Sequence, residues 1–263
     1  MSISRVAIIG AGIMGEGMIN SLLAAGIEPS SIVLRDKRAE RIDDLVGKFN
    51  VNSGHFREVD AAILAVKPQD FETCIAELKN DFEDSFLLVS LLAGVKKSQI
   101  EDKVGDNVRV IRIMPNTPIL LGEGMSVITK GVRATDSDLS WVVNLLSKSG
   151  KTLVAEENLM DAVTATSGSG PAYFFGFVEA MIKASIRLGL SEQDSKLLVN
   201  QTLIGAAKMI EESGKDAGTL RKEVTSPNGT TAAALASFES SGWEETVYEA
   251  MKAAKDRSEE LSS

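Results

Sequence analysis

The chain has 263 residues, enough for one large domain or two smaller ones, and its 44% hydrophobic and 25% charged residues are typical of a globular protein. Its 37 acidic and 28 basic residues give a net charge of −9, which disfavours nucleic acid as a partner. One cysteine, Cys74, excludes an internal disulfide, and one histidine, His55, excludes a histidine-rich metal site, so no metal is expected.

The hydrophobic pattern also bears on where the protein works. No stretch approaches the roughly 18 apolar residues of a membrane span. The apolar run Val6–Ile9 is too short, and too soon followed by glycines, for a signal peptide. A lone cysteine fits a reducing compartment. We therefore expect a cytoplasmic protein with no membrane partner.

The first half of the chain alternates short β-branched runs with amphipathic segments, which predicts a mostly parallel sheet with helices on both faces. Helical patterns lie between the runs, for example Gly12–Ala25 and Pro68–Asn80. Two of the runs are apolar throughout, as in strands buried on both faces. The predicted strands are Val6–Ile9, Ile32–Leu34, Ala62–Val66, Phe86–Ser90, Val108–Ile113, Ser126–Thr129 and Thr152–Val154.

The first predicted strand runs into the sequence GAGIMG, which opens a helix. This order of strand, glycine motif and helix is the fingerprint of a dinucleotide-binding Rossmann fold. Gly10 permits the tight turn, Gly12 lets a pyrophosphate approach the backbone, and Gly15 lets helix and strand pack closely. The phosphates would lie at the helix N-terminus, beside Ile13 and Met14. The alternative is a glycine-rich turn that binds no ligand.

The end of the second strand bears on the choice of cofactor. Asp36 lies about twenty residues past the motif, where an acidic side chain would bind the ribose 2′-hydroxyl of NAD. Arg35, Lys37, Arg38 and Arg41 surround it, and such a group of cations in an acidic chain resembles a clamp for the 2′-phosphate of NADP. A solvated helix start is the alternative explanation. We expect NADPH as the cofactor, with NADH also usable.

The strands stop after about Glu156, and the rest of the chain predicts helices. Pro171–Leu188 carries a single polar stripe on an otherwise apolar helix, which implies burial on most sides. A domain of roughly a hundred residues rarely buries a helix so fully, so we expect a second subunit to cover it. The predicted domains are residues 1–156, which bind NAD(P), and residues 157–263, which are all helical. Further helices are predicted for Glu192–Ser213, near Leu220, for Thr230–Ser240 and from Trp243.

Three loops carry polar groups next to predicted elements, at residues 64–69, 112–118 and 167–173. The first ends a strand at the carboxyl edge of the sheet, where ligands bind in such folds. The second holds Asn116 between two prolines, and the third opens the long helix with Pro171 in its first turn. Taken singly, each loop is better explained as structural.

The segment Val224–Thr231, with the sequence VTSPNGTT, leads into an alanine-rich helix. A glycine-containing loop at a helix N-terminus presents free amides, to which Ser and Thr add hydroxyls, and this combination binds anions. Because the segment contains no lysine or arginine, it suits a small carboxylate held by neutral donors. A plain helix N-cap explains the same residues equally well.

Together these segments resemble the Δ1-pyrroline-5-carboxylate reductase family, whose motifs they match in order and approximate spacing over nearly the whole chain. The match is most specific at Val224–Thr231, flanked by Leu220 and Leu235. The resemblance implies a Rossmann-type doubly wound α/β domain followed by an all-helical dimerisation domain, in dimers that commonly assemble to decamers. It also implies reduction of the cyclic imine 1-pyrroline-5-carboxylate to L-proline by NADPH or NADH.

The resemblance implies roles for individual residues as well. Thr231 and Ser226 would be the catalytic residues, with Thr231 hydrogen-bonded to the imine nitrogen. Asn52 would touch the adenosine ribose, and the Ala93–Gly94 loop would lie near the nicotinamide. The implied substrate-binding residues are Ser226, Asn228, Gly229, Thr230 and Thr231. The implied cofactor-binding residues are Gly10, Gly12, Ile13, Met14, Gly15, Asp36, Lys37, Arg38, Asn52, Ala65, Val66, Lys67, Pro68, Ala93, Gly94 and Asn116.

Three positions depart from the family's pattern. Asn228 stands where a second glycine is common, which matters little if Asn228 takes a left-handed conformation. Thr166 stands where leucine is common. Asp36 and Lys37 replace a frequent Asn-Arg pair, which leaves the choice between NADPH and NADH open.

The implied reaction suits a chain with one histidine. Reducing a ketone needs an acid to protonate the alkoxide, whereas a hydride added to an already protonated imine gives a neutral amine. The enzyme then needs to align C4 of the nicotinamide with the C=N carbon, with the carboxylate anchored at Thr230–Thr231. His55 is expected on the surface, far from the nicotinamide.

Two other functions compete with this interpretation. A 3-hydroxy acid dehydrogenase of related architecture would carry a catalytic lysine after its Gly-x-Gly turn, but Phe174 and Val178 stand where its lysine and asparagine would be. A regulatory or assembly protein that binds the dinucleotide without catalysis is disfavoured by the intact loop Ser226–Thr231.

Overall fold

The computed structural model describes residues 3–54, 59–78 and 86–261. Contacts between Cα atoms divide the chain into two compact units, Met1–Ser169 with Ala254–Ser263, and Gly170–Ala253. Residues 157–169 thus belong to the first unit by compactness. The expected division into domains after Glu156 stays a prediction.

The first unit is built on one sheet, with eight strands among the described residues in the order β3-β2-β1-β4-β5-β6-β7-β8. All neighbouring strands are parallel except β6 and β7. Each predicted strand overlaps an observed one, whereas β3 has two residues and is too short to leave a pattern. The strands are β1 (Val6–Ile9), β2 (Ile32–Arg35), β3 (Asn52–Ser53), β4 (Ala61–Leu64), β5 (Leu87–Ser90), β6 (Arg109–Met114), β7 (Gly124–Lys130) and β8 (Gly150–Val154).

Helices cover both faces of this sheet. Alternate residues of each strand point to opposite faces, so both faces contribute apolar side chains to a core. Val6 and Ile8 are buried in one apolar cluster, and Ala7 and Ile9 in the other, so the sheet is doubly wound as expected. The helices of this unit are α1 (Ile13–Ala24), α2 (Ala39–Phe49), α3 (Phe71–Leu78), α4 (Lys97–Val104), α5 (Asp136–Leu146) and α6 (Met160–Val163).

Two local features modify the predicted helices. The pattern at Pro68–Asn80 is observed as a 3-10 turn, Pro68–Asp70, followed by α3, while Asn80 lies outside the described residues. After α6 the chain makes a single π turn, Thr164–Gly168, before the next helix begins.

The strand order reverses between β1 and β4, and this switch point marks the place where ligands bind in doubly wound sheets. Ile9 and Leu64 are register partners at the ends of these strands, and Ala65 N–H donates to the Ile9 carbonyl at 2.8 Å. The glycine turn after β1 and the loop after β4 therefore meet at one edge of the sheet.

The second unit is all helical, as predicted. Its start signals are visible: the Ser191 hydroxyl accepts a hydrogen bond from Asp194 N–H at 3.1 Å, and an Asp216 oxygen accepts from Thr219 N–H at 3.0 Å. The helix α11 begins in this unit and ends in the first. The helices are α7 (Gly170–Arg187), α8 (Glu192–Glu212), α9 (Ala217–Glu223), α10 (Thr230–Ser240) and α11 (Trp243–Leu261).

The helices of the second unit leave much of their apolar surface uncovered. Within residues 170–253, only Val199 and Leu220 among the hydrophobic side chains are buried. Phe174 and Phe175 on α7 are 61% and 62% exposed. The helix α7, which the sequence predicts to be buried, therefore stays largely exposed among the described residues, although α8 packs against one side of it. Across the described ranges, no helix is both long and apolar enough to cross a membrane.

Candidate active site

The glycine turn joins β1 to α1 at the switch point. Gly10 has a φ of +104°, and a Cβ there would lie 2.6 Å from the carbonyl oxygen of Ala65, so only glycine fits this crossing. A Cβ on Gly15 would overlap the carbonyl oxygen of Gly10. The turn thus needs glycine at the two outer positions of the motif, for the reasons the fingerprint gives.

The start of α1 offers unpaired backbone donors. Gly12 caps the helix without a side-chain hydrogen bond, and its carbonyl accepts from Glu16 N–H at 3.0 Å. Within the described residues, the N–H groups of Ile13, Met14 and Gly15 have no acceptor. Free N–H groups at the positive end of a helix bind phosphate, so this turn fits the pyrophosphate of a dinucleotide.

Asp36 has its hydrogen-bonding capacity filled. Oδ2 accepts from Ala11 N–H at 2.6 Å and from Arg38 Nη2 at 2.9 Å, and Oδ1 accepts from Arg38 N–H and Nε, both at 2.9 Å. The hydrogen bonds from Arg38, with that from Ala11, hold the pKa of Asp36 at about 2. A carboxylate has about four lone-pair sites, so a ribose hydroxyl would have to displace one of these donors. The geometry favours Asp36 as the group that orients Arg38.

Arg41, one of the cations expected to clamp a phosphate, braces the glycine turn instead. Its guanidinium pairs with Glu16 on α1 and donates to the carbonyl of Ala11 at 3.0 Å. Lys48 also binds Glu16, at 2.7 Å, and this hydrogen bond lowers the pKa of the Glu16 carboxyl. Arg41 therefore links α2 to α1. Its guanidinium is engaged within the protein and does not join the other cations predicted to bind a 2′-phosphate.

The other three cations line a cavity of about 480 Å³ at the switch point. Arg35 lies 3.6 Å from Glu77, whereas Lys37 and Arg38 have side chains that are 67% and 61% exposed. Lys37 and Arg38 are thus the cations best placed for a phosphate of a bound ligand. The lining residues are Ile9, Gly10, Gly12, Arg35, Asp36, Lys37, Arg38, Ala65, Val66, Lys67, Gln69, Asp70, Cys74 and Glu77.

The part of this lining formed by α3 was not predicted from the sequence. Cys74 and Glu77 of α3 line the cavity and are three residues apart, a spacing that puts both on one face of a helix. This spacing is the sequence signal that could have indicated that both face the cavity. Burial raises the pKa of the Cys74 thiol to about 11, so the thiol is protonated and unreactive near neutral pH.

Asn52 and Pro68 are among the predicted cofactor residues that do not line this cavity. Asn52 on β3 donates its side-chain N–H to the carbonyl of Ser30 at 2.6 Å. Pro68 begins the 3-10 turn after β4 and helps to line a separate cavity of about 280 Å³ with Phe71 and Leu261. Their contacts with the cofactor stay predictions.

The loops after β5 and β6 carry the remaining predicted cofactor residues, Ala93, Gly94 and Asn116. The Asn116 Oδ1 accepts from Met125 N–H at 2.8 Å, and its Nδ2 donates to the Ser167 carbonyl at 3.1 Å. The side-chain amide of Asn116 thus links its own loop to the segments around Met125 and Ser167. The second N–H of this amide has no acceptor among the described residues. A cofactor contact by this loop pair stays a prediction.

The loop before α10, in the second unit, is a tight turn that ends in free N–H groups. Gly229 N–H donates to the Ser226 carbonyl at 3.0 Å, and Asn228 has a φ of +59°, so Asn228 does take the left-handed conformation. Gly229 caps α10 without a side-chain hydrogen bond, and the N–H groups of Thr230 and Thr231 have no acceptor in the described ranges. This loop can bind a small anion with neutral donors.

Some residues singled out by the sequence cannot be placed. His55 lies outside the described residues, so its surface position stays a prediction. Among the residues that are described, no three His, Cys, Asp or Glu side chains form a group that could hold a metal ion.

Comparison with known proteins gives the same outline for both halves of the chain. A family model described as pyrroline-5-carboxylate reductase dimerisation matches residues 157–261. A second model, described as NADP oxidoreductase coenzyme F420-dependent, matches residues 5–94. The curated pyrroline-5-carboxylate reductase of Corynebacterium melassecola is 38% identical over 266 residues, which cover 98% of each chain.

Solved structures resemble the whole chain as well. A pyrroline-5-carboxylate reductase from Coxiella burnetii has a TM-score of 0.90 and 31% identity, with 100% of both chains covered. The pyrroline carboxylate reductase of Plasmodium falciparum, solved with NADP bound, has a TM-score of 0.87 and 29% identity, again with 100% of both chains covered.

Proposed function

The chain belongs to the pyrroline-5-carboxylate reductase family of NAD(P)-dependent oxidoreductases, and we propose that it transfers a hydride from NADPH to the C=N bond of 1-pyrroline-5-carboxylate, giving L-proline. The observation that carries this proposal is 38% identity over 98% of both chains with a curated reductase. The glycine turn and the loop before α10 supply the two kinds of site that such a reaction requires.

The first unit provides the residues that would hold NADPH. The free N–H groups at the start of α1 fit its pyrophosphate. They follow the turn at Gly10, which passes too close to the backbone of Ala65 to carry a side chain. Lys37 and Arg38 would bind the adenosine 2′-phosphate, with Arg38 held in place by Asp36. Bound NADPH supplies the hydride. NADH lacks the 2′-phosphate and would use the same turn with lower affinity.

The nicotinamide end would be held by the loops that follow the neighbouring strands. Ala65, Val66, Lys67 and Pro68 follow β4, and the Ala93–Gly94 loop follows β5, the next strand along the sheet. We assign the nicotinamide contact to the Ala93–Gly94 loop. Asn116 would support it from the end of β6.

The loop Ser226–Thr231 would hold the substrate by its carboxylate. The N–H groups of Thr230 and Thr231 and the Ser226 hydroxyl are neutral donors, which bind a carboxylate without adding a cation to the site. The Thr231 hydroxyl would accept a hydrogen bond from the protonated ring nitrogen. Asn228, in its left-handed conformation, gives the turn its shape. These contacts orient the C=N carbon for hydride transfer.

The chemistry explains why the site needs no strong acid or base. The imine binds already protonated, so the hydride meets an iminium carbon and a neutral amine results. The amine then takes its proton from solvent, and no side chain has to deliver one during hydride transfer. Threonine and serine hydroxyls can orient such a substrate, and the loop before α10 carries three of them, at Ser226, Thr230 and Thr231.

The helical unit would be completed by a second subunit. Its family model is one of dimerisation, and its exposed aromatic side chains, such as Phe174 and Phe175, form an apolar surface that a monomer rarely leaves in water. We propose a homodimer that covers these helices and that can assemble further, to a decamer. A lone buried cysteine suits the cytoplasm, where we place the enzyme.

The activity is tested by mixing the purified protein with pyrroline-5-carboxylate and NADPH and following absorbance at 340 nm. We expect NADPH oxidation with this imine and none with a 3-oxo acid, which a 3-hydroxy acid dehydrogenase would reduce. No oxidation with either substrate would instead support a non-catalytic regulator.

The assignment of the substrate loop is tested with Thr231→Ala. This variant should lower kcat/KM for the imine about tenfold, the loss typical of one hydrogen bond to a charged group, while NADPH affinity stays the same. Thr202→Ala is the matched control, because the Thr202 hydroxyl binds the Leu198 carbonyl of its own helix. An unchanged rate in Thr231→Ala would remove Thr231 from the site.

A further inference from the structure

The loop that follows β5, residues 91–96, is packed against the last turn of α11 within the first unit. Gly94 has a φ of +71°, and a Cβ there would lie 2.6 Å from the Leu261 Cβ and 3.4 Å from the Ser258 carbonyl oxygen. Because even one added methyl carbon at Gly94 would overlap the helix, Gly94 lies directly against the last turn of α11. The helix end therefore limits where the middle of the loop can lie.

Ser258 fixes that helix end. Its side chain is buried, and its hydroxyl donates to Oδ1 of Asp161 at 2.6 Å. Asp161 belongs to α6, next to Met160, which is buried in a small apolar cluster with Met114. Ala93 packs against the same cluster. The hydrogen bond thus ties α11 to the helix that also supports the loop.

Both ends of the loop are held by groups outside α11. At one end, Leu91 N–H donates to the Leu64 carbonyl at 3.0 Å. At the other, Lys97 N–H donates to Glu157 Oε1 at 3.0 Å, and the buried Arg112 binds the same oxygen at 2.7 Å. Weakening the helix contact would therefore release the middle of the loop without unfolding the sheet.

We propose that Ser258 and Leu261 are positioning residues for the nicotinamide end of the cofactor, and that they act through the Ala93–Gly94 loop. The proposal rests on the proposed function, in which this loop contacts the nicotinamide. The adenosine half would be held by the glycine turn after β1 and by Lys37 and Arg38 after β2, whereas the loop packed against α11 follows β5. The two halves of the cofactor should therefore respond differently when the last turn of α11 is changed.

The test compares the affinity of two ligands by titration calorimetry with no substrate present. One ligand is NADPH, and the other is adenosine 2′,5′-bisphosphate, which occupies only the adenosine half. Ser258→Ala removes the hydrogen bond to Asp161, and Leu261→Gly removes the Cβ that lies against Gly94. Each should weaken NADPH binding about three- to tenfold, which for Ser258→Ala is the loss typical of one buried hydrogen bond, and leave bisphosphate binding unchanged.

Two further variants separate positioning from loss of stability. Arg257→Ala removes an exposed side chain of the same helix turn and should bind both ligands as the unaltered protein does. Asp161→Asn keeps an oxygen that can accept from the Ser258 hydroxyl, so it should retain most of the NADPH affinity that Asp161→Ala loses.

Two results would overturn the proposal. They are equal weakening of both ligands in Ser258→Ala and Leu261→Gly, and unchanged NADPH affinity in both variants. Because binding is measured without substrate, a protein that failed to reduce the imine would refute the proposed reaction and leave this comparison intact.

Discussion

Replacing Lys37 and Arg38 together by alanine should change which cofactor the enzyme prefers. These two side chains line the cavity at the switch point and are largely exposed, so their removal leaves the sheet and the glycine turn intact. NADPH and NADH differ only in the 2′-phosphate. The double variant therefore tests whether that phosphate is bound where the structure places these cations.

The size of the effect follows from the contacts. Asp36 occupies the Nε and one Nη2 donor of Arg38, which leaves other guanidinium N–H groups for a phosphate. Lys37 lies 4.0 Å from Asp70, an exposed pair that contributes little and can open. Two partly exposed contacts to a phosphate are together worth about 2 kcal/mol, or about thirtyfold in affinity.

The assay is steady-state kinetics with each cofactor at saturating imine. We expect the KM for NADPH to rise about thirtyfold, with the KM for NADH within about twofold of its original value. Lys48→Ala is the matched control, because it removes a cation that binds Glu16 and does not line the cavity. An unchanged KM for NADPH, or an equal rise for both cofactors, would refute the assignment of the phosphate site.

Three other changes test the fold and the assembly. Gly15→Ala should abolish thermal stabilisation by NADPH, because the new Cβ would overlap the Gly10 carbonyl oxygen. Gly47→Ala is the control, because the space around Gly47 is open, and equal stabilisation of the two variants would contradict this prediction. The lowered pKa of Asp36 contributes stability above pH 4, and this contribution is lost as the pH falls toward 2. In urea titrations, Asp36→Asn should therefore lower the free energy of unfolding by about 2 kcal/mol at pH 7 and by little at pH 2. Phe175→Glu should give a monomer in sedimentation, unlike Lys183→Ala on the same helix, and an unchanged mass would place the interface elsewhere.

The parts of the fold that the sequence could predict are those set by local patterns. The apolar run that ends at Gly10 predicted β1. The glycine motif predicted the turn, because Gly10 and Gly15 lie where a side chain would overlap backbone atoms. The left-handed conformation of Asn228 was stated from the sequence only as a condition, under which asparagine can stand where a second glycine is common, and the structure meets that condition.

The parts that could not be predicted depend on pairs of residues far apart in the chain. Nothing local indicates that the Asp36 carboxylate binds the N–H of Ala11, 25 residues earlier, or that Arg41 turns away from the cavity to Glu16. These pairings decide which of the four cations between Arg35 and Arg41 can still bind a phosphate of a ligand. They follow from the packing of α1 against α2, which charge spacing alone does not encode.

The most direct test of the proposed reaction uses NADPH carrying deuterium at C4 of the nicotinamide, on the face from which the hydride leaves. If the chain reduces the imine as proposed, mass spectrometry should find L-proline with one deuterium, on the ring carbon beside nitrogen that bears no carboxylate. Proline without deuterium, or oxidation of the cofactor without proline, would contradict the proposed reaction.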